Sequence, residues 1–479
     1  MSSLDKQSVR AEFDTIKASF KKLSKRDAPS PEMVALINAL FLLFNIVLSI
    51  FLEKHTKKTS ANSSIPSSQS EEDETTPKKK GKSAKQKKEK LLVSGNTRTV
   101  ETVEISQVLK CKFCGCDLSN VSCAHIERRT QIDIIFEKTV VHVDAEVKNC
   151  PSCSTTTKGS YPSNMPGPLQ YGNGIKSYVI QLLVMQMMSL NRVSKMLVSL
   201  IGNLISEATL LSYLMKLHLA LEPWETSTKE TLISSDCINV DETSLKVNKT
   251  NNWIHVHSSG DITLKFLHKK RGKEAIEGIG IIPKYEGVIV HDCWASYLSY
   301  KHCSHGLCGS HLLRELAFII DVHSYKWARN MKRLLKYTCR MVAHREAKCL
   351  NEKSLEKLYR CYEKILAQAH NELPEIPRKT TKRRGKIAKS DAHNLCERLQ
   401  THKDAVLLFA KLAYVSFTNN RAERDLRMSK VKQKVSGCFR VEKYAKAYCR
   451  ISSYLQTMKN KGINPMIAVE LALEGKFEL

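Results

Sequence analysis

The chain has 479 residues, and 42% of them are hydrophobic, which is enough apolar material to bury the cores of several domains. This composition excludes a disordered protein, and 16 cysteines that are mostly scattered singly exclude the dense disulfide framework of a small secreted domain. The 76 lysines and arginines exceed the 48 acids by 28, and this positive charge favours a polyanionic partner, either nucleic acid or an anionic surface.

The N-terminal region, residues 1–55, is predicted to contain an apolar helix. Its opening, "MSSLDKQSVRAEF", carries charges of both signs and has no apolar core, so we expect that it is not an export signal. The protein is therefore expected to stay in the reducing cytosol. The run at residues 33–52 is long enough to cross a membrane. Asn38 and Asn45, however, lie seven positions apart on one helical stripe, like the polar residues that fix register in coiled coils. We therefore favour an oligomerising helix and keep a membrane span as the alternative.

Residues 56–98 are predicted to form a disordered basic linker. They change from serine-rich to acidic to strongly basic without apolar periodicity. The lysines between positions 78 and 90 are either a non-specific phosphate contact or a solvated tail.

Two C-x-x-C pairs within residues 99–160 predict a zinc-binding module. Cys111 and Cys114 form the first pair and Cys150 and Cys153 the second, and four thiolates can close a tetrahedral zinc site. The intervening "QIDIIFEKTVVHVDAEVK" has strand character that can bring the pairs together. Three further residues compete as ligands: Cys116, Cys123 and His125.

Residues 161–230 are predicted to be helical. "IKSYVIQLLVMQMMSLNRVSKMLVSLIG" and "NLISEATLLSYLMKLHLAL" have helical apolar spacing, and Asn203 or Ser206 is placed to cap the second helix. Two helices across a short glycine-containing turn are either a helix-turn-helix or an ordinary packed pair, and the pattern leaves both open.

Residues 231–325 alternate as strands do and contain two prominent aspartates. "DCINVDETSLKV" places Ile238 and Val240 on one face of a strand and Asp241 on the other. "WIHVHSS" and "ITLKFLH" predict an antiparallel meander with it, followed by a short helix and a fourth strand, "EGVIVHDCWASY", that ends at Asp292. This order is the first half of a ribonuclease-H-like mixed α/β sheet, in which the first and fourth strands are neighbours. We therefore expect Asp241 and Asp292 to lie close together.

Two carboxylates at neighbouring strand ends repel each other unless a cation lies between them. Oxygen-rich sites suit Mg²⁺ or Mn²⁺, and two such ions roughly 4 Å apart can activate an attacking water or hydroxyl and stabilise the leaving oxygen of a phosphodiester. The aspartate pair therefore predicts metal-dependent phosphodiester chemistry.

A third carboxylate is expected from residues 416–434, "SFTNNRAERDLRMSKVKQK", which follow a largely helical stretch at 326–411. Glu423 and Asp425 are two positions apart, so on a helix they point about 200° apart and only one of them can face the aspartates. The flanking apolar residues favour Glu423. Alternatively, Asn420 caps the helix and Glu423 folds back onto the helix start in a capping box.

Much of the sequence resembles transposases of the insertion sequence 66 family, which are DDE enzymes with a ribonuclease-H-like catalytic domain. The matching stretches run in order from about residue 100 to 460: "AEVKNCPSC", "QYGNGIKSYVI", "ISEATL", "VDET", "HDCWASY", "CGSHLLREL" and "NNRAERDLRMSKVKQKVSGCFR". The N-terminal apolar helix and "NSSIPSS" resemble the leader of that family more weakly.

The resemblance implies that Asp241, Asp292 and Glu423 are the catalytic acids and hold two Mg²⁺ or Mn²⁺ ions. It implies a DNA-binding role for the four-cysteine module with its structural Zn²⁺, and a helical insertion at residues 326–411. Cys308 and His311 match a C-x-x-H feature of several DDE groups, for which we expect a structural or DNA-contact role. The cations expected to meet DNA phosphates, of which Arg427 can also pair with Glu423, are Arg421, Arg424, Arg427, Lys430, Lys432 and Lys434.

The leading hypothesis is a bacterial, cytoplasmic, nucleoid-associated transposase. It would bind double-stranded DNA at element ends, hydrolyse the 3′ strand ends and direct each freed 3′-hydroxyl onto target DNA. We expect a homo-oligomer, accessory proteins of the same element as candidate partners, and no membrane, with residues 412–479 completing the catalytic core. The alternative is a non-catalytic zinc-finger DNA-binding regulator or a decayed element, and the presence of all three acids argues against decay.

Overall fold

The computed structural model describes residues 13–20, 30–55, 102–132, 137–376 and 389–477. The linker predicted at residues 56–98 lies outside the described residues. The chain forms two compact units, one made of Met1–Lys87 with Ser227–Lys430 and the other of Lys88–Thr226 with Val431–Leu479.

Strands are concentrated between residues 237 and 307, and the chain after residue 308 is helical in its described elements. The helices are α1 (13–20), α2 (Pro31–His55), α3 (Asn173–Ile180), α4 (Leu190–Ile201), α5 (Glu207–Ala220), α6 (Glu222–Ile233), α7 (Lys273–Ile279), α8 (Ala295–Leu298), α9 (Gly309–His323), α10 (Lys326–His344), α11 (Glu352–Glu372), α12 (Asp391–Thr401), α13 (Lys403–Lys411), α14 (Asn420–Ser436), α15 (Glu442–Asn460) and α16 (Pro465–Leu473). The strands are β1 (Val147–Asn149), β2 (Thr156–Lys158), β3 (Cys237–Val247), β4 (Thr250–Ser259), β5 (Ile262–His268), β6 (Val288–His291) and β7 (Ser304–Leu307).

A five-stranded mixed sheet forms the centre of the first unit, in the order β5-β4-β3-β6-β7. β3, β4 and β5 are antiparallel neighbours, whereas β6 and β7 run parallel to β3. The β3–β4 turn places Asn248 and Lys249 in the left-handed region, as a two-residue type I′ hairpin requires. Ile238 and Val240 of β3 are buried, as their alternation predicted. The mixed α/β class expected from the sequence is therefore present.

Helices fill most of residues 326–411, and they form one apolar core with the parallel edge of the sheet. Trp327 of α10 and Tyr362 of α11 are fully buried in this core. The hydroxyl of Tyr362 donates to the carbonyl of Leu399 on α12 at 2.9 Å. This packing returns the chain to the end of β7, where the segment before α14 begins.

The helix α2 covers the predicted apolar run and packs partly on its own unit. Phe13 of α1 lies 5.7 Å from Phe41 between ring centroids, and Leu48 joins the core beside α9. Its length and composition would also suit a membrane span. The exposed apolar stripe is formed by Leu36, Leu40, Leu43 and Val47.

The two asparagines of α2 do not belong to that exposed stripe. Asn38 is two residues from both Leu36 and Leu40, which is about 200° around a helix. Asn45 is likewise two residues from Val47, so the two asparagines lie on the other side of α2, and their role in fixing register stays a prediction. Oligomerisation through α2 stays a prediction, now based on the leucine stripe.

In the second unit, each C-x-x-C pair forms a tight turn. Gly115 N–H donates to the carbonyl of Cys111 at 3.0 Å, and Ser154 N–H donates to the carbonyl of Cys150 at 2.8 Å. Hydrogen bonds within the turns lower the pKa of Cys111 and of Cys153. Within the described ranges, however, the four sulfurs are not gathered into one metal-sized group. The zinc module therefore stays a prediction.

The helical part of the second unit contains the helices α4 and α5. Ser206 caps α5, as expected, by accepting the N–H of Thr209 at 3.2 Å. α4 ends at Gly202, whose φ of +71° lies in the left-handed region. The second predicted helix is present as α5, whereas the stretch predicted as the first is interrupted at residues 186–189, between the helical residues 173–185 and α4. The use of α4 and α5 as a helix-turn-helix stays a prediction.

Candidate active site

Asp241 lies within β3 and Asp292 directly follows β6, and both are at the same level of the sheet. The parallel pairing of these strands sets Asn239 opposite Val290, and each aspartate comes two residues later in its own chain. The charge of Asp292 contributes to raising the pKa of Asp241, which places the two carboxylates within electrostatic reach of each other. The sheet thus brings together the two aspartates that the sequence singled out.

The turn after β6 holds Asp292 in a defined conformation. Cys293 has a φ of +73°, which is uncommon for a residue other than glycine and costs of the order of 1–3 kcal/mol. Its N–H donates to Nδ1 of His291 at 3.1 Å, and the N–H of Trp294 donates to Oδ1 of Asp292 at 3.2 Å. Burial lowers the pKa of His291 to about 3, so this ring is neutral and its Nδ1 can accept. Such strained turns concentrate at functional sites.

A neighbouring acid that the sequence analysis did not single out, Glu242, is buried and fully engaged. Arg271 Nε donates to its Oε1 at 2.8 Å, and the hydroxyl of Tyr297 donates to its Oε2 at 2.7 Å. The guanidinium of Arg271 lies between two indole rings, 5.0 Å from the centroid of Trp253 and 4.4 Å from that of Trp294. This stack ties the turn after Asp292 to the antiparallel half of the sheet.

Asp241 is the least compensated charge of the group. Burial raises its pKa well above the usual range, and the charges of Glu242, Asp292 and Glu423 raise it further. Burial and Asp292 also raise the pKa of Glu242, although Arg271 and Tyr297 oppose that shift. Ionisation of Asp241 is therefore disfavoured in the metal-free protein, and a cation beside it would offset that cost.

Glu423, in the first turn of α14, is the third acid of the group. Its Oε1 lies 3.7 Å from Nδ1 of His311 and 3.9 Å from Nη2 of Arg314, and Arg427 is not among its charged neighbours in the described chain. That oxygen is buried and lacks a hydrogen-bond partner among the described residues. The side chain therefore does not fold back onto the helix start, and the capping box with Asn420 and the pairing with Arg427 are both wrong.

Asn419, immediately before α14, anchors this helix to the sheet and was missed by the sequence analysis. Its side chain is buried, accepts from Nδ2 of Asn239 at 3.0 Å and donates to the carbonyl of Val240 at 2.8 Å. Its N–H donates to the sulfur of Cys308 at 3.1 Å, and its carbonyl accepts the N–H of Glu423. One residue thus connects the strand that carries Asp241 to the helix that carries Glu423.

The end of β7 adds Cys308 and His311 to the same edge of the sheet. Leu307 pairs with His291, so Cys308 comes level with Asp292, and its N–H donates to the carbonyl of His291 at 2.9 Å. Burial would raise the pKa of the Cys308 thiol, but interaction with His311 and neighbouring donors lowers it. Burial would likewise lower the pKa of His311, but Cys308 and Glu423 raise it.

The cations predicted to contact DNA on α14 have different surroundings. Arg421 donates to the buried carboxylate of Asp425 at 2.9 Å. In the second unit, Lys432 is half-buried, and burial lowers its pKa. Lys430 is partly buried, and the cations with exposed side chains are Arg424, Arg427 and Lys434.

A second concentration of positive charge, not anticipated from the sequence, lies on α10. A surface hollow of about 390 Å³ is lined by Ile320, Arg329, Lys332, Arg333, Lys336, Tyr337 and Arg340. Burial and the charge of Lys336 lower the pKa of Lys332, and the charge of Asp321 opposes that shift. Tyr337 is 61% exposed at its rim. This surface, the α10 basic surface, is suited to a polyanion.

The carboxylate oxygens of Asp241, Asp292 and Glu423 do not all lie within 4.8 Å of one another among the described residues, but two observations favour a divalent metal beside them. Burial and the surrounding carboxylates raise the pKa of Asp241, and a bound cation would favour its charged form. A buried oxygen of Glu423 also lacks a hydrogen-bond partner among the described residues. A donor set made only of carboxylate oxygens suits Mg²⁺ or Mn²⁺.

Residues 168–447 match the family model described as "Transposase IS66 family", which covers more than half of the chain and includes all three acids. No curated protein matches the chain.

Proposed function

The chain belongs to the IS66 transposase family, and we propose that it is a ribonuclease-H-like DDE transposase whose catalytic acids are Asp241, Asp292 and Glu423. Membership of the family makes it a DNA-acting protein with a divalent metal requirement. The proposal adds the reaction: hydrolysis of the 3′ strand ends of the element, followed by attack of each freed 3′-hydroxyl on a phosphodiester of target DNA.

The observation that carries this proposal is the convergence of three acids from distant parts of the chain. Asp241 and Asp292 are level on adjacent parallel strands, and the charge of Glu423 on α14 adds to the rise in the pKa of Asp241. Structural acids are usually paired with cations or donors, as Glu242 is with Arg271. Asp241 accepts the N–H of Glu242 at 2.9 Å but has no ion pair with a cation in the described part of the chain, and this supports metal binding.

The three carboxylates would hold the divalent ions, which supply Lewis-acid activation of the attacking oxygen and stabilisation of the leaving oxygen. The chain itself fixes the acids. Asn419 sets the start of α14 against β3, and the turn at Cys293 holds Asp292. Arg271 neutralises Glu242, so that a fourth acid beside the site carries little free charge. His311 and Arg314 border Glu423 on the side away from its own helix start.

For the DNA partner we propose two contact surfaces within the first unit. One consists of the exposed Arg424 and Arg427 beside Glu423, and the other is the α10 basic surface. Both offer guanidinium groups that can bind phosphate oxygens bidentately. The proposal has four further parts. The four-cysteine module is a zinc finger, the protein is a homo-oligomer, its partners include accessory proteins of the element, and it is located in the cytoplasm.

The test is strand nicking of a duplex that carries the end sequence of the element, in the presence of Mg²⁺ or Mn²⁺. Wild type should nick it, and Asp241→Asn, Asp292→Asn and Glu423→Gln should each lose nicking while still binding the duplex. Glu286→Gln, at an exposed acid just before β6, is the matched control and should keep nicking. Nicking that survives all three changes would overturn the assignment, and binding without any nicking would favour the regulator.

A further inference from the structure

A cluster of three different metal-ligating side chains lies next to the acids. The sulfur of Cys308, a ring nitrogen of His311 and a carboxylate oxygen of Glu423 all lie within 4.8 Å of one another. Of the residues that the structure describes, these form the one such group of three or more. Neither cysteine nor histidine is needed to hold the divalent ions proposed above.

The fold places each ligand of this cluster. Cys308 follows β7 and begins α9, and His311 is in the first turn of that helix. Three positions of separation put the two side chains on the same side of a helical turn. Glu423 comes from α14, whose start is tied to the Cys308 sulfur by the N–H of Asn419. The cluster is therefore set by the backbone of two elements and does not depend on flexible surface side chains.

The distances are close to those of a metal site. Nδ1 of His311 lies 3.7 Å from Oε1 of Glu423, and both atoms are buried without a hydrogen-bond partner in the described part of the chain. Zinc bonds to nitrogen and oxygen of about 2.0–2.1 Å set tetrahedral ligand pairs about 3.4 Å apart. A contraction of a few tenths of an ångström would thus bring these two atoms to the spacing of ligands to one ion.

The donor set selects the metal. A thiolate, an imidazole and a carboxylate suit Zn²⁺, with a fourth position left open, whereas Mg²⁺ prefers oxygen ligands alone. We propose that Cys308, His311 and Glu423 form a Zn²⁺-selective site that shares Glu423 with the three catalytic acids. In the metal-free protein the Cys308 sulfur and the His311 ring share one proton beyond those of a thiolate and a neutral imidazole. Binding of Zn²⁺ releases that proton to solvent.

Because Glu423 is shared, Zn²⁺ at this site should affect nicking, and this step rests on the proposed function. A Zn²⁺ ion in this site engages the carboxylate that the divalent ions at Asp241 and Asp292 also require. Zinc bound there therefore inhibits Mg²⁺-dependent nicking, and the C-x-x-H motif acts as an inhibitory metal sensor at the edge of the active site.

The first arm of the test measures binding without activity. Metal-free full-length protein is titrated with Co²⁺, and thiolate-to-cobalt absorption is recorded for wild type, Cys308→Ser and His311→Gln. Because the C-x-x-C cysteines can also bind cobalt, the readout is the difference from wild type. We expect Cys308→Ser and His311→Gln to lose the same part of the thiolate-to-cobalt absorption. The Co²⁺ ion responsible for that part should bind to each variant about 100-fold more weakly or worse than to wild type. Cys303→Ser, at another buried cysteine of this region, is the matched control and should keep that absorption.

The second arm measures zinc inhibition of Mg²⁺-dependent nicking, with each variant normalised to its own zinc-free rate. Wild type and Cys303→Ser should be inhibited at the same low zinc concentration, and Cys308→Ser should need about tenfold more zinc or higher. Equal cobalt spectra for wild type and Cys308→Ser would overturn the site. A lost cobalt component with unchanged zinc inhibition would overturn the inhibitory role. Absence of nicking from every protein, with the cobalt difference present, would refute the proposed function and leave the zinc site standing.

Discussion

Glu423 and Asp425 are two residues apart on α14, and their carboxylates lie in opposite kinds of surroundings. Asp425 is buried and accepts the hydroxyls of Ser258 and Thr263 at 2.8 Å each, on the antiparallel half of the sheet. Glu423 lies beside His311 with one oxygen unpartnered among the described residues. Asp425 therefore fixes the rotation of the helix that presents Glu423 to Asp241.

This division of roles predicts opposite outcomes for two conservative changes. Glu423→Gln should reduce nicking by about 100-fold or more while leaving the free energy of unfolding nearly unchanged. Asp425→Asn should lower the free energy of unfolding by about 2–3 kcal/mol, because it removes the charge that holds Arg421 and weakens two buried hydrogen bonds. Urea denaturation followed by the nicking assay distinguishes them. Equal effects of the two changes on stability would contradict this account.

Asn419 should be the most sensitive non-acidic residue near the site. Asn419→Ala leaves Asn239 and the carbonyl of Val240 without their buried partner, which we expect to cost about 2 kcal/mol of stability. It should also reduce nicking, since the start of α14 is no longer fixed beside Asp241. Asn420→Ala, at the adjacent exposed asparagine, is the matched control for both measurements. If Asn419→Ala nicks DNA as fast as the control, the anchoring role is wrong.

The two aspartates could be predicted from the sequence because the information is local. Alternation along β3 predicts the face of the strand on which Asp241 lies, and the strand order makes β3 and β6 neighbours, although β3 continues beyond Asp241 to Val247. Glu423 was harder to place, since the same residue type at a helix start also fits a capping box. Only the contact with His311, from a different helix, decides between these two orientations.

The remaining parts of the site depend on contacts between side chains that are far apart in the sequence. Asn419 bonds to Asn239 across 180 residues and Arg271 to Glu242 across 29, and no periodic pattern marks either pair. Alternation along a strand places the neighbouring residues Asp241 and Glu242 on opposite faces. It could not show that an arginine and a tyrosine fix Glu242 in place. Likewise, the sequence could not show that Glu423 lies beside Cys308 and His311, because this contact forms only where α14 and α9 meet in the fold.

The Arg271 stack predicts a second structural sensitivity near Asp292. Arg271→Met keeps much of the apolar contact with Trp253 and Trp294 but leaves Glu242 buried without its cation. We expect a loss of about 2 kcal/mol, after allowance for the partial exposure of the arginine. Arg271→Lys should recover part of this stability, because it restores the charge but not the planar stack. Equal stabilities of the methionine and lysine variants, measured by urea denaturation, would show that the charge is irrelevant.

Two buried histidines on β4 predict a dependence of stability on pH. Burial lowers the pKa of His257 to about 3 and that of His255 to about 4, and Lys229 adds to the shift at His257. Because the folded pKa values lie below the ordinary value of about 6.5, the unfolded chain takes up protons first as the pH falls. Stability is therefore fully present above pH 6.5 and declines toward pH 3–4, by about 2 kcal/mol at pH 5 for His257.

His257→Phe should flatten this decline, because phenylalanine cannot take up a proton in the unfolded state. The free energy of unfolding, measured in urea at intervals from pH 7.5 to 5, should fall less steeply in this variant than in wild type. His302→Phe, at an exposed histidine of the same unit, is the matched control. An identical slope for wild type and His257→Phe would show that the acid dependence comes from other groups.

The exposed stripe on α2 predicts self-association of the full chain. Leu40 is 54% and Leu43 56% exposed, and neighbouring apolar residues extend the same stripe in both directions. Burying such a stripe against a second copy would remove apolar surface from water at about 25 cal/mol per Å². The double change Leu40→Glu with Leu43→Glu should therefore reduce the molar mass measured by light scattering at micromolar protein concentration. Asn38→Glu, on the opposite side of the helix, should leave the mass unchanged, whereas extraction of wild type only with detergent would instead support the membrane alternative.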